Sequence, residues 1–464
     1  MRVQISQGFA ILLLVAATLP VWSQATGSAS PGAGGTQPKD SGAAPAATGP
    51  IESKESEDRM VTPTPVNIEG YPLSLGAESE RTNYLRGGLR FSSTYDDNVL
   101  TNILRTTSDV SYSIWPWISL NQSRPRLKWS FSYSPGFTFY QKATNLNEAD
   151  HASKAKLDYR LSPNVTLHLS DVFSKSSNFF NQFDQNPGGS TSSVGLQGQN
   201  NSVIPPLADR ISNAGDVQLT YQFSERGMVG ATGSFSELRY SDRTQAGGLR
   251  DADVRAGELF YTHRLSGSHY IGVTYRYQDL LASPNAAETQ THSLALFYTI
   301  YFQPTVSLSV FGGPEYSDTQ APLAMAQHDL STAAGGSLGW QGGRTSFAVS
   351  ISRRITDGGG LASAVRVEDA RASFRRQFTK TLTGALDAGY VLNHLLAPTV
   401  ESGLGGHTLF GGFSVSQSLG PRFDLELGYT RLHQSYGSLP SLFQADRNRA
   451  SISLSYRFER PLGR

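Results

Sequence analysis

The chain is 464 residues long, enough for one large β domain or two or three ordinary ones, and its formal net charge is +1. A hydrophobic content of 38% is too low for a bundle of apolar helices, and the balanced charge excludes the basic surface that nucleic-acid binding needs. Cysteine is absent, which removes disulfides, thiolate metal sites and cysteine nucleophiles together, while 46 Gly, 20 Tyr and 23 Phe suit many strands joined by glycine-bearing turns.

At the amino terminus Arg2 precedes an apolar run at 9–17 (FAILLLVAA), and Ser23-Gln24-Ala25 places small residues where a signal peptidase reads. Residues 1–25 are therefore predicted to be a signal peptide cleaved after Ala25. The alternative is an uncleaved anchor, but the run falls short of the roughly 20 apolar residues of a membrane helix, and no later stretch approaches that length. Residues 26–82 are rich in Gly, Ala, Ser, Thr and Pro, as in Ser30-Pro31-Gly32-Ala33-Gly34-Gly35, with a charged patch at 52–59. They have no periodicity and too little apolar surface to offset chain entropy, so a disordered periplasmic leader is expected. Occlusion of a pore or docking to a periplasmic partner are its alternative roles.

From Tyr84 onward apolar and polar residues alternate, the pattern of a strand with one face in lipid and the other in water. Leu127, Trp129, Phe131 and Tyr133 alternate with Lys128, Ser130, Ser132 and Ser134. Val217, Leu219, Tyr221 and Phe223 do so with Gln218, Thr220 and Gln222, and Ile452, Leu454, Tyr456 and Phe458 close the series. Short turns, such as Ser162-Pro163-Asn164, Ser266-Gly267-Ser268 and Gly420-Pro421-Arg422, take turns with longer polar connections. The longer ones lie near 96–107, 142–151, 179–207, 241–250, 280–289, 317–328, 356–362, 395–404 and 435–447. This alternation predicts that 83–464 is an all-β, transmembrane antiparallel β-barrel of about 18 strands, with 16 as the alternative count. Both ends of the barrel would then lie in the periplasm. A soluble sandwich also alternates, but in hydrocarbon every backbone group must be paired, and for strands only closure achieves that. Trp115, Trp117 and Trp129 are candidates for interfacial belts.

Residue parity points Arg86, Arg90, Lys128, Lys156, Arg160, His168, Arg354, Arg371, Arg375 and Arg457 into the lumen, together with Asp158, Asp424 and Glu426. Bases outnumber acids in this set, which would give a slight anion preference. A salt-bridged polar lining that holds the barrel's shape is the favoured explanation, because a one-residue bulge would reverse several assignments. Asp96-Asp97-Asn98 reads as a loop-locking turn, with Ca²⁺ binding at Asp96 and Asp97 as the weaker alternative and hydrolysis weaker still. The nine histidines are scattered, and His168 is a polar liner rather than a catalyst. Gly335-Gly336-Ser337-Leu338-Gly339 matches a nucleophile elbow literally, but a turn and another strand follow it where a helix is required. No catalytic residue, resident metal or cofactor is expected.

The opening strand Leu89-Arg90-Phe91-Ser92-Ser93-Thr94-Tyr95-Asp96-Asp97-Asn98-Val99-Leu100 resembles outer-membrane β-barrel porins, including barrels associated with exopolysaccharide export. The closing Leu454-Ser455-Tyr456-Arg457-Phe458 resembles the signal read by the barrel-assembly machinery, although residues 459–464 follow where that signal usually ends. The resemblance implies a bacterial outer-membrane pore in contact with membrane lipid, assembled by that machinery as a monomer or a homotrimer. The expected function is diffusion of small polar solutes; the alternatives are glycan export and a structural or adhesive barrel with a blocked lumen.

Overall fold

The computed structural model describes residues 83–100, 106–176, 209–241, 249–283, 287–303, 305–320, 326–361, 363–396, 405–436 and 445–462. The expected signal peptide, the leader and the whole of the 179–207 connection lie outside these residues. In chain order the strands are β1 (Tyr84–Asp96), β2 (Asp109–Ser123), β3 (Leu127–Tyr140), β4 (Glu148–Arg160), β5 (Val165–Ser176) and β6 (Arg210–Gln222). There follow β7 (Gly227–Tyr240), β8 (Asp251–Arg264), β9 (His269–Ser283), β10 (Glu288–Gln303), β11 (Val306–Gln320) and β12 (Gln327–Gln341). The last six are β13 (Thr345–Thr356), β14 (Val365–Gln377), β15 (Leu382–Leu395), β16 (Gly405–Ser418), β17 (Phe423–Tyr436) and β18 (Ala445–Pro461). Apart from a single 3₁₀ turn at Thr144–Leu146, no helix occurs among the described residues.

Every strand pairs antiparallel with its neighbour in sequence, and β18 returns to β1, from Tyr84 opposite Pro461 to Asp96 opposite Arg449. The result is a closed 18-stranded sheet with no free edge. Asn83 and Leu462 meet at one end, where the Leu462 amide donates to the Asn83 carbonyl over 2.8 Å. That end also carries the tight turns, for example Gly342 N–H to Thr345 O at 2.7 Å and Leu419 N–H to Phe423 O at 2.9 Å, and is called the short-turn end below. The strand ends that lead into the long connections lie at the opposite end. The connection expected at 280–289 is shorter than its composition suggests: β9 continues to Ser283 and β10 begins at Glu288, so the polar Ser283, Glu288 and Thr289 lie within strands. Their alternation persists where apolar character fades, and backbone pairing follows the alternation.

The two faces differ sharply. Phe91, Tyr95, Leu219, Phe235, Leu259, Leu296, Leu330 and Ile351 point outward and are exposed. On the same strands Arg90, Ser92, Thr94 and Asp96 point inward and are buried. A one-residue slip would exchange these faces, and the only register shift in the pairing of β10 with β11 falls at its end, between Tyr301 and Gln303. Trp129 points outward near the short-turn end and donates to Gln122 Oε1 over 2.8 Å. Trp115 and Trp117 do not join it. They share the inward face with Ser113, and Trp115 is 1% exposed, so the belt expectation fails for both. Trp115 lies flat over Gly136 of β3, where a Cβ would stand 1.9 Å from its ring. Phe297 lies over Gly272 of β9 in the same way, at 2.3 Å. Inward aromatic rings thus recline on glycine pads of the neighbouring strand, which keeps them against the wall.

Candidate functional site: a polar lumen narrowed at one end

The wall formed by β3–β6 presents charged side chains to the interior. Lys128, Lys154 and Lys156 are exposed on the inward face, with Arg160, Asp158 and His168 beside them. Strand register sets these neighbours: Lys128 faces Asp158 across β3 and β4, and Asp158 faces His168 across β4 and β5. His168 Nδ1 meets Asp158 Oδ1 at 2.5 Å, and its Nε2 lies 4.0 Å from Asp216 Oδ2. Ser170 donates to the same Asp216. Lysines therefore outnumber carboxylates along the lower part of this wall, where Lys128 and Lys156 are exposed.

Four of the six remaining bases selected by parity are matched with acids. Arg86 lies 3.4 Å from Glu459, and Arg90 lies 3.4 Å from Glu426 and donates to Ser453 at 3.1 Å. Arg371 pairs with Asp369 at 2.7 Å, and Arg457 with Asp424 at 3.6 Å. Arg354 Nη1 reaches Ser352 Oγ at 3.3 Å, and Arg375 faces Ser346 across β13 and β14. By strand register two groups form among the ten residues: Lys156, Arg160 and His168 on β4 and β5, and Arg457 of β18 between Arg86 and Arg90 of β1.

Asp96 and Asp97 serve the closing seam between β1 and β18. Both Arg447 and Arg449 reach the Asp96 carboxylate, Arg447 Nε at 2.7 Å and Arg449 Nε at 3.4 Å, and the Asn98 amide donates to it at 3.0 Å. Asp97 receives the Asn448 backbone N–H at 2.8 Å and its side-chain amide at 2.6 Å. Guanidinium groups occupy the position that a cation would need. Among the described residues no group of three His, Asp or Glu side chains is placed to hold a metal. Ser337 sits inside β12 with β13 beside it, without the strand–helix turn of a nucleophile elbow.

The feature that residue patterning missed lies at the long-connection end. After β13 the chain turns inward from the wall at Gly358, Gly359, Gly360 and Leu361. Gly358, Gly359 and Gly360 have φ of 72°, 62° and 103°, a left-handed run that side-chain-bearing residues resist. The turn docks where β7 leads into β8: Tyr240 donates its hydroxyl to Gly359 O at 2.9 Å, and the Arg250 amide donates to Gly360 O at 2.7 Å. A Cβ on Gly360 would stand 2.7 Å from the Tyr240 ring. Around it Leu361, Val365, Val367, Val391 and Tyr436 pack with Leu238, Tyr240, Leu249 and Ala252 in one apolar cluster. A second cluster joins Leu280 to Ile355, Ala364 and Leu396. Walls nearly opposite in the ring of strands are thereby bridged.

No family model matches the sequence, and no curated protein matches it. Among solved structures the chain is similar to OccAB4 of Acinetobacter baumannii, at 10% identity over 83% of this chain and 100% of that one, with a TM-score of 0.41. It is also similar to the outer membrane protein opdK of Pseudomonas aeruginosa, at 10% identity over 81% and 99%, TM-score 0.41. The FrpB iron transporter of Neisseria meningitidis (F3-3 variant) follows at 14% identity over 82% and 67%, TM-score 0.41. On its own strand pairing, the chain is a closed antiparallel β-barrel of 18 strands with a polar interior.

Proposed function

We propose that the protein is an outer-membrane channel through which small polar solutes diffuse, with the β3–β6 wall favouring anions and the 357–364 turn setting the narrowest passage. The observation that carries this reading is the exposure of Lys128, Lys154 and Lys156 on the inward face of a barrel whose outward face is apolar. Ammonium groups need water, so an interior that leaves them exposed is wet, and barrels of 16–18 strands are wide enough to hold a water column. Transport needs no chemistry here, only a polar path and a charge bias.

Glycan export is less well supported. It calls for aromatic faces on which sugars stack, whereas Phe260, Tyr270, Phe297 and Phe311 lie buried against the wall. A barrel with a blocked lumen is the second reading, and the apolar clusters at the long-connection end favour it. Single-channel recording of the protein in a planar bilayer separates the two. The channel reading expects steady conductance with a reversal potential on the anion side. Well-folded, heat-modifiable protein that carries no current overturns it.

A further inference from the structure

Every histidine except His168 points outward, and strand register gathers them at the two ends of the barrel. At the long-connection end His151, His292, His328, His394, His407 and His433 ring the outer surface; at the short-turn end stand His263 and His269. Most meet a tyrosine set closer to the middle of the wall. Tyr133 contacts His151 Nδ1 at 2.9 Å, Tyr275 contacts His292 at 2.8 Å, and Tyr316 contacts His328 at 3.1 Å. At the other end Tyr261 contacts His263 at 3.1 Å and Tyr298 contacts His269 at 2.5 Å. Tyr390 stacks on His407, which in turn lies 5.7 Å from the ring of His433.

The pairs share one stereochemistry. Each hydrogen-bonded imidazole meets its tyrosine through Nδ1, which leaves Nε2 outside that contact. When the hydroxyl donates to Nδ1, as the pairs at His151 and His292 allow, the ring proton sits on Nε2, which becomes a donor; at His328 the Asp318 carboxylate also approaches Nδ1 and competes for that proton. Between the two levels the outer wall is apolar, with Leu219, Leu259, Leu296 and Ile351 among its exposed residues. The arginines at the upper level are occupied by acids: Arg239 by Asp253 at 2.6 Å, Arg353 by Glu368 at 3.7 Å and Arg431 by Asp446 at 3.3 Å. His328 has Asp318 at 3.3 Å, and His433 faces Asp446 across β17 and β18. The imidazoles thus stand as outward-directed donors at this level beside the exposed Lys175, which faces His151 across β4 and β5.

We infer that the Tyr–His girdle at the long-connection end is a docking surface for the phosphate head groups of membrane lipid, each tyrosine orienting an imidazole Nε2–H toward a phosphate oxygen. The apolar band below the girdle matches acyl chains, and the level of the imidazoles matches the head groups above them. The inference rests on the membrane-spanning reading but not on solute conduction.

The test is lipid retention by the full chain in phosphatidylcholine nanodiscs doped with bis-phosphorylated lipid A or with its dephosphorylated form. The intact protein should retain the phosphorylated lipid several-fold better. The combined substitutions His292→Gln, His328→Gln, His407→Gln and His433→Gln should abolish that preference. Tyr275→Phe with Tyr316→Phe, which keeps the rings and removes the orienting hydroxyls, should reduce it in part while the heat-modifiable fold persists. Equal retention of the two lipids by the intact protein, or an undiminished preference in both variants, overturns the inference. A barrel that conducts yet shows no phosphate preference would sink this inference alone, whereas failure to insert would sink the membrane reading as well.

Discussion

The two ends of the lumen are built on opposite principles. Toward the short-turn end the β3–β6 wall leaves lysine side chains exposed, and Arg86 and Arg457 sit in partly exposed pairs. Toward the long-connection end the described interior is more closely packed: an inward turn, apolar clusters and the doubly clamped Asp96 lie there, with Arg447 1% exposed. Charge at the open end is hydrated, so it acts on whatever passes and contributes little to stability. Charge at the packed end is desolvated, so its partners are obligatory. The same residue types therefore do different work at different depths, and substitution should separate them.

The largest difference should come from deleting one base at each end. Arg447→Ala leaves Asp96 buried beside Arg449 alone and should cost about 3–5 kcal/mol, seen as a lower denaturant midpoint for unfolding from detergent or bilayer. Lys156→Ala should stay within about 0.5 kcal/mol of the parent in the same measurement. Equal losses at the two positions would refute the distinction. Packing against the wall offers the next largest effect. Gly136→Val must displace the Trp115 ring that covers it, and an overpacked site of this kind costs about 1–3 kcal/mol. Gly257→Val, where nothing lies within 4 Å of the added carbon, should be close to neutral in the same titration.

Much of this was legible in the residue order because the period of a strand is local. Alternation gives the strand count, and it places Lys128, Arg160 and His168 inward without knowledge of their neighbours. Trp115 and Trp117 show where residue type misleads: tryptophan suggests a belt, yet both share the parity of Ser111 and Ser113, and parity decided their face. Contacts between distant strands carry no such local mark. Gly358-Gly359-Gly360 has the composition of any long connection, and its inward course depends on Tyr240 and Arg250 more than a hundred residues earlier. The histidines look scattered for the same reason, since most partners, such as Tyr275 for His292, belong to the adjacent strand. Asp96 was readable as a locking residue, but not as the anchor of Arg447 and Arg449.

The inward turn tests whether the packed end limits passage. Gly360→Val cannot hold a φ of 103° beside the Tyr240 ring, so the turn should leave the β7–β8 wall. If 357–364 is the narrowest point, single-channel conductance should rise by about threefold, a change in width rather than in charge. Tyr240→Phe removes only the hydroxyl bond to Gly359 and should give a smaller rise in the same direction. Unchanged conductance in both would move the narrow point elsewhere.

The smallest effect is also the most specific. Reversing Lys128 and Lys156 to glutamate changes charge on the open wall without touching the turn, the seam or the glycine pads. Total conductance should change by less than about twofold, because the width of the path is untouched. The reversal potential under a salt gradient should nonetheless move from the anion to the cation side, since Asp158 and Asp216 would then dominate that wall. Reversal of selectivity at constant width would assign the charge bias to β3–β6. A reversal potential that stays on the anion side would mean that ions select their path at the packed end, where every described arginine–carboxylate pair would have to be reconsidered as part of the conducting surface.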